Sequence, residues 1–112
     1  MYICSIICSI LKFEILAVKI TCIRKDGGNH ENPYVAISRL GWINESTDTK
    51  GESSRLEMYN FVVNEKGTAY VTDYYGNKAN LIGAISLKRN KYVKTVADNF
   101  TTDNLLKLNE CN

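Results

Sequence analysis

The sequence predicts an α+β domain in which one main helix packs on one face of an antiparallel β-sheet. Three observations predict this fold class: short apolar segments that alternate with a period of two, turn sequences that separate them at hairpin spacing, and one S-x-x-E motif that opens a helical pattern. A chain of 112 residues has room for one domain with a modest core. We assign residues 17–112 to that single ligand-binding domain.

The first sixteen residues stand apart from this pattern. The apolar run from Tyr2 to Leu11 is only about ten residues long, which is too short to span a membrane. Lys12 and Glu14 interrupt the apolar residues after Leu11, and the run lacks the basic start of a secretion signal. We expect residues 1–16 to be an apolar N-terminal extension, an extra strand or an oligomer contact, and we expect no membrane association.

Six further segments are assigned from their alternation and turn residues. "VKITCIRK", residues 18–25, predicts a strand that the turn "DGGN" ends, and residues 34–40 predict a second strand that Gly41 breaks. Residues 44–54, "NESTDTKGESS", are polar and predict a loop. After the helix, "TAYVTDYY", "ANLIGAISLK" and "KYVKTVAD" predict three strands at hairpin spacing.

The helix is predicted from residue 55 to residue 65. Ser54 and Glu57 have the spacing of a capping box, and Gly67 stands where a helix terminator is expected. One face of the predicted helix carries Leu56, Tyr59, Val62 and Val63.

The cysteines give no sign of a metal site. Their spacing contains no CxxC pair, and the single histidine, His30, does not complete a zinc ligand set. We therefore expect no metal and no cofactor, reduced thiols and a cytoplasmic protein. Cys22, in the apolar run "VKITCI", is expected to be a small buried hydrophobic residue.

The sequence lacks the usual signs of an enzyme. It contains no G-x-S-x-G elbow and no phosphate-binding P-loop, and His30 in its glycine-rich turn is most simply a surface residue. A net charge of +2 also gives no polyanion-binding signature. We expect a binding protein, with nucleic acid a less favoured ligand.

Arginines suggest that the bound ligand is an anion. Arg24 follows the first strand, and Arg55 opens the helix, where the dipole favours acidic residues and an arginine is locally unfavourable. Arg55 can instead pair with Glu52 or Glu57. The basic stretch from Lys88 to Lys94 includes Tyr92, and it fits either a solvated edge strand or an oligonucleotide-binding surface.

The segment "ADNFTTDNLL", residues 97–106, carries a second group of candidate binding residues. Asn99, Asp103 and Asn104 offer donors and acceptors for ribose hydroxyls or a base edge, and Phe100 offers a surface for base stacking. The alternative is structural, because Asp103 can also cap a short C-terminal turn.

Most of the chain resembles a small bacterial and phage family of unknown function. The resemblance covers residues 17–111 and is carried by "ITCIRKDGGNHENPYVAISRLGW", "SSRLEMYNFVV", "GTAYVTDYYGNKA" and "KYVKTVADNFTTDNLLKLNEC", with Asn109 where the family usually has a proline. The chain is also similar to the first-described class of Thoeris anti-defence proteins. Those phage proteins are sponges: they bind a cyclic ADP-ribose isomer made by a TIR-domain enzyme and do not degrade it.

This resemblance implies an anti-defence sponge for a cyclic nucleotide, assembled as a homodimer or a dimer-based higher oligomer in the host cytoplasm. It implies no catalytic residues and the following ligand contacts: Arg24 and Arg55, assisted by Lys94, for phosphate; Phe100 or Tyr92 for the base; and Asn99, Asp103 and Asn104 for ribose or base edges. Two alternatives remain open, an oligonucleotide-binding module and a protein–protein antagonist that uses the "YVTDYY" surface.

Overall fold

The computed structural model describes residues 17–28, 30–95 and 105–112. These residues form six strands and one helix in the order β1 (Ala17–Lys25), β2 (Ile37–Asn44), β3 (Thr49–Ser54), α1 (Arg55–Val63), β4 (Thr68–Thr72), β5 (Lys78–Ile85) and β6 (Lys91–Thr95). The strands make one sheet with the order β3-β2-β1-β4-β5-β6, and α1 packs on one of its faces. The described fold is therefore α+β.

The sequence predicts a purely antiparallel sheet, and this prediction is wrong at the centre of the sheet. Two antiparallel meanders, β1-β2-β3 and β4-β5-β6, are joined by α1, and the strands that meet in the middle, β1 and β4, run parallel. Residues 17–19 pair there with residues 68–70. A parallel pair requires a crossover such as a helix, whereas hairpin turns produce only antiparallel neighbours. The sheet is mixed for this reason.

The strands expected at β1, β4, β5 and β6 are confirmed, but the β2-β3 hairpin differs from the expectation. β2 begins at Ile37 and passes through Gly41 to Asn44, and residues 49–54 form β3 instead of a loop. The turn between them includes Asp48, whose φ is 58°. β3 is an edge strand with no buried residue, so its polar composition resembles that of a loop.

The capping box that opens α1 is confirmed. Ser54 Oγ accepts a hydrogen bond from the Glu57 backbone N–H (3.1 Å), and Glu57 Oε1 accepts one from the Ser54 N–H (2.7 Å). The helix ends at Val63, two residues before the expected end, and buries Met58 and Tyr59. Leu56 is 51% exposed, so it is not part of the buried face. Among the described residues, no helix is long and apolar enough to cross a membrane.

Gly67 has a different role from the one expected. The residue with positive φ after α1 is Lys66 (60°), while the Gly67 N–H donates to the Phe61 carbonyl (2.9 Å). A Cβ at Gly67 would lie 2.2 Å from Phe61 Cζ. Glycine is therefore required at this position because the Phe61 ring lies against it.

The C-terminal segment, residues 105–112, gives β1 a further neighbour. The Ile23 N–H donates to the Asn109 carbonyl and the Cys111 N–H donates to the Ile23 carbonyl, both at 3.0 Å, in a parallel bridge. Leu105 is fully buried in the core. The largest fully buried side chains of that core are Ile20, Ile23, Ile37, Leu40, Met58, Leu105, Val71 and Val93.

Cys22 and Cys111 form a disulfide, so the expectation of reduced thiols is wrong for this pair. Their Cα atoms are 4.9 Å apart although the residues are separated by 89 positions in sequence. The parallel bridge at Ile23 brings the two side chains together. Cys22 is only partly buried, and a Cβ at Gly41 would lie 2.3 Å from its sulfur, so Gly41 provides space for the bond.

Candidate ligand-binding site

A cavity of about 430 Å³ lies between α1 and the β2-β3 hairpin. It is lined by Val18 of β1, by Trp42, Asn44, Thr47, Thr49 and Ser53 of the hairpin, and by Glu57, Met58, Asn60, Phe61 and Glu65 of the helix and the turn after it. Aromatic and aliphatic walls with a few amides, hydroxyls and carboxylates are typical of small-molecule sites. We take this cavity as the candidate site.

The aromatic walls are held by glycines. A Cβ at Gly51, which pairs with Trp42 across the hairpin, would lie 2.6 Å from Trp42 Cζ2, so the indole lies directly against β3. Trp42 Nε1 donates to Ser53 Oγ at 3.0 Å, which fixes the plane of the ring. Phe61 lies in the same way against Gly67. The two rings of the site are thus set by the strand and the turn beneath them.

Two side-chain amides contribute hydrogen-bond donors. Asn44 Oδ1 accepts from the backbone N–H groups of Ser46 (3.0 Å) and Thr47 (3.3 Å), which closes the hairpin turn. Asn60 Oδ1 accepts from Asn64 Nδ2 at 2.8 Å. Each oxygen is therefore engaged, while the amide nitrogens of Asn44 and Asn60 donate to no group in the described part of the chain and are available to a ligand.

Carboxylates make the rim of the cavity acidic. The backbone N–H and then the side chain of Ser54 hold the pKa of Glu57 below its usual range, and the charge of Arg39 acts in the same direction. Glu57 is therefore ionised at neutral pH. Among the described residues that line the cavity, none is a lysine or an arginine. The cavity is suited to a neutral or donor-rich group, and an anionic group must lie outside it.

Arg24 lies on the opposite face of the sheet, in an ion-pair cluster. Its guanidinium contacts the Glu52 carboxylate through Nε (2.9 Å) and Nη2 (3.2 Å), and it also donates to the Asn112 carbonyl (2.9 Å). Arg39 Nε contacts the same carboxylate at 3.2 Å. The hydrogen bond from Arg24 is the main reason that the pKa of Glu52 is lowered.

Arg55 binds backbone carbonyls instead of Glu52 or Glu57. Its Nε donates to the Lys91 carbonyl at 3.0 Å, and Nη1 donates to the Val35 carbonyl. These bonds connect the start of α1 to β6 and to the loop before β2. The position of Arg55 is explained by this structural contact, which needs no external anion.

Tyr92 and Lys94 lie on β6, on the face opposite Val93. The Tyr92 ring is stacked on Tyr34, with centroids 6.0 Å apart and an interplanar angle of 19°. Lys94 is partly buried and pairs in register with Ile82. Arg55 and Tyr92 thus both lie where β6 meets the loop before β2, whereas Arg24 is in the separate ion-pair cluster with Glu52. The other predicted contacts, Asn99, Phe100, Asp103 and Asn104, lie outside the described residues.

Sequence reasoning did not identify the residues that line the cavity. Trp42, Asn44 and Asn60 come from two strand positions and a helix, and none was predicted to be a ligand contact. One signal was present: Trp42 is the only tryptophan of the chain, and it faces a glycine across a hairpin that was not predicted.

Comparison with known proteins identifies the class of this chain. The family described as "Protein of unknown function (DUF3892)" matches residues 19–109. The chain therefore belongs to the DUF3892 family. No curated protein and no solved structure matches it.

Proposed function

We propose that this protein binds a small nucleotide-type ligand and sequesters it without chemical change. The observation that carries the proposal is the cavity between α1 and the β2-β3 hairpin. Its volume of about 430 Å³ falls within the roughly 300–1,000 Å³ of ligand pockets. A preformed cavity on the rigid face of a sheet is suited to tight binding, because little order has to be created when the ligand enters.

The chemistry of the walls supports a base or nucleoside as the part that enters. Trp42 and Phe61 offer aromatic surfaces for stacking, and the amide nitrogens of Asn44 and Asn60 offer donors to ring nitrogens or carbonyls. Glu57 adds an acceptor for an exocyclic amino group. An adenine ring combines these features, with acceptors on the ring and a donor at its amino edge.

We propose more specifically that the ligand is a cyclic nucleotide immune signal, a cyclic ADP-ribose isomer made by a TIR-domain enzyme. This step comes from the resemblance to Thoeris anti-defence proteins, which implies a phage sponge that is not an enzyme. The phosphates of such a ligand would lie outside the acidic cavity. A homodimer or a dimer-based oligomer belongs to the same proposal.

The cytoplasm of the host cell is the proposed location. Disulfides are rare in reducing cytosol, and Cys22 is bonded to Cys111. The state of this bond inside the cell can be measured directly. Alkylation of thiols in intact cells, followed by mass spectrometry, would show these two cysteines unmodified if the bond persists there, and alkylated if it forms only after lysis.

The single tryptophan gives a test of ligand binding at or beside the cavity. Adenosine, cyclic ADP-ribose isomers and cyclic dinucleotides are titrated while the fluorescence of Trp42 is followed, with calorimetry in parallel. Saturable binding should change the emission, and heating should release the ligand intact on chromatography. Recovery of a cleaved product would replace sequestration with catalysis, and no binding across the panel would overturn the proposal.

A matched pair of variants separates the cavity from the rest of the surface. Asn60→Leu removes an amide donor from the cavity and should lower affinity about tenfold, the loss expected for one good hydrogen bond. Asn80→Leu makes the same change at an exposed position of β5 outside the cavity and should bind like the wild type. Equal affinities for the two variants would place the ligand elsewhere.

One observation favours a second function, that of a protein–protein antagonist. Tyr74 and Tyr75, in the turn between β4 and β5, are 95% and 85% exposed. Exposed tyrosines are enriched at protein interfaces. Replacing both with serine should leave the ligand titrations unchanged, and a loss of anti-defence activity with intact ligand binding would assign the activity to this surface.

A further inference from the structure

A second concave surface lies on the face of the sheet opposite the cavity. Strand alternation puts Gly41 and Glu52 on the face opposite Trp42 and Ser53. There, a shallow groove of about 400 Å³ runs between β3 and the C-terminal segment. It is lined by Thr21, Cys22, Gly41, Trp42, Lys50, Gly51, Glu52, Cys111 and Asn112.

Three cations are arranged around this groove. Lys50 lines it directly, and Arg24 and Arg39 converge on the Glu52 carboxylate that forms part of its wall. Two carboxylates, those of Glu52 and Glu110, lie close enough to interact electrostatically with Arg24. The Asn112 oxygen, which accepts from Arg24 Nη2 at 2.9 Å, is a further acceptor in this cluster. Arg24 and Arg39 both bind Glu52 through Nε and Nη2. Within the described part of the chain, the Nη1 group of each arginine makes no hydrogen bond.

The floor of the groove is formed by backbone and by the disulfide. At Gly41 a Cβ would lie 2.3 Å from the Cys22 sulfur and 3.1 Å from the Cys111 sulfur, so the floor is made of backbone and disulfide. The disulfide also fixes Cys111, and with it the wall that Asn112 provides. The spacing of the walls is thus set by covalent and hydrogen-bonded structure.

We propose that this groove is a binding site for a phosphate-type anion, such as a phosphate monoester or a pyrophosphate. Glu52 acts there as an internal counter-ion: its carboxylate occupies the position between two guanidinium groups that an external oxyanion would share or take over. Bidentate arginine and a nearby lysine are the groups that proteins use for phosphate oxygens. The site is separate from the cavity and does not depend on the function proposed for it.

The test uses inorganic phosphate and pyrophosphate as probes, with phosphorus NMR titration as the readout. Arg39→Gln and Lys50→Gln should each weaken pyrophosphate binding about tenfold, the loss of one charge-assisted hydrogen bond. Glu52→Gln should strengthen binding several-fold, because it removes the competing charge. Lys78→Gln is the matched control, since Lys78 lies over the Tyr70 ring away from the groove.

The outcomes separate this site from the cavity. Citrate is titrated in parallel, and stronger binding of citrate than of pyrophosphate would overturn the phosphate assignment. Asn60→Leu should leave pyrophosphate binding unchanged, even if adenosine does not bind to the cavity at all. Unchanged pyrophosphate affinity in Glu52→Gln and in Lys50→Gln, or an equal loss in Lys78→Gln, would overturn the site.

Discussion

The helix packs against the two halves of one sheet in different ways. Over β5, a Cβ at Gly83 would lie 2.3 Å from Val63 Cγ2 and 2.9 Å from the Tyr59 ring, so the helix lies directly on the strand. Over β2 and β3, a cavity of about 430 Å³ separates the helix from the sheet. Both halves contain a glycine under an aromatic ring, but they use it differently.

The difference lies in which element supplies the ring. Tyr59 belongs to the helix, so a glycine beneath it draws the helix toward the sheet. Trp42 belongs to the sheet, and the glycine beside it, Gly51, lets the indole lie flat on its own hairpin and leaves space under the helix. A glycine can therefore close an interface or open one. Four variants probe this contrast, ordered here from the largest expected effect to the smallest.

Loss of the disulfide should have the largest effect, because it frees the C-terminal segment from β1. Cys111→Ser opens a covalent loop spanning 89 positions, and loops of this length are worth about 4 kcal/mol in the free energy of unfolding. Urea unfolding measures the change. Reductant should destabilise the wild type by a similar amount and leave Cys111→Ser unaffected; a wild type indifferent to reductant would contradict the expectation.

Overpacking the contact between α1 and β5 should cause the next largest loss of stability. Gly83→Ala places a methyl group where Val63 and Tyr59 already lie, and overpacking of this kind costs about 2–3 kcal/mol. Thermal unfolding followed by circular dichroism measures it. A variant as stable as the wild type would show that the helix can shift away from β5 without loss.

On the side of the cavity, a glycine-to-alanine substitution should cost less stability. Gly51→Ala would place its Cβ 2.6 Å from the Trp42 ring, but the ring can move into the cavity, so the cost should be about 1 kcal/mol. The emission of Trp42 should shift, and adenosine binding should weaken because the indole fills the space. A stability loss equal to that of Gly83→Ala would remove the difference between the two halves.

The smallest expected effect is on the loss of stability at acidic pH. The pKa of Glu57 is held down by Ser54 in the folded protein. Its contribution to stability is therefore present above the unfolded value of 4.5 and is lost as the pH falls through the lower folded value. Glu57→Gln keeps an acceptor for the Ser54 N–H and should flatten the decline in stability below pH 4.5. An identical decline in both proteins would assign the acid sensitivity to other carboxylates.

Local signals were enough to predict much of the fold. The capping box located the start of α1 to the residue, and alternation located β1, β4, β5 and β6. The parallel pairing of β1 with β4 was not predictable in this way, because turn residues report only on neighbours in sequence. β3 was missed since an edge strand that buries no residue needs no apolar side chains.

The candidate site was less predictable than the fold for a physical reason. Arg55 looked like an anion ligand because an arginine is unfavourable at a helix start, but two distant backbone carbonyls account for its position. The cavity depends on contacts between β2, β3 and α1 that no single segment encodes. The Cys22–Cys111 bond was hidden similarly, since its 89-residue separation resembles no spacing motif.

The pairing of β1 with residues 109–111 also bears on how the protein is made. A ribosome synthesises β1 well before these residues, so Ile23 must wait for both of its late hydrogen-bond partners. Neither that bridge nor the disulfide can form while Cys111 is still in the exit tunnel. During translation, the Ile23 N–H and C=O therefore lack these two partners until Cys111 has emerged from the ribosome.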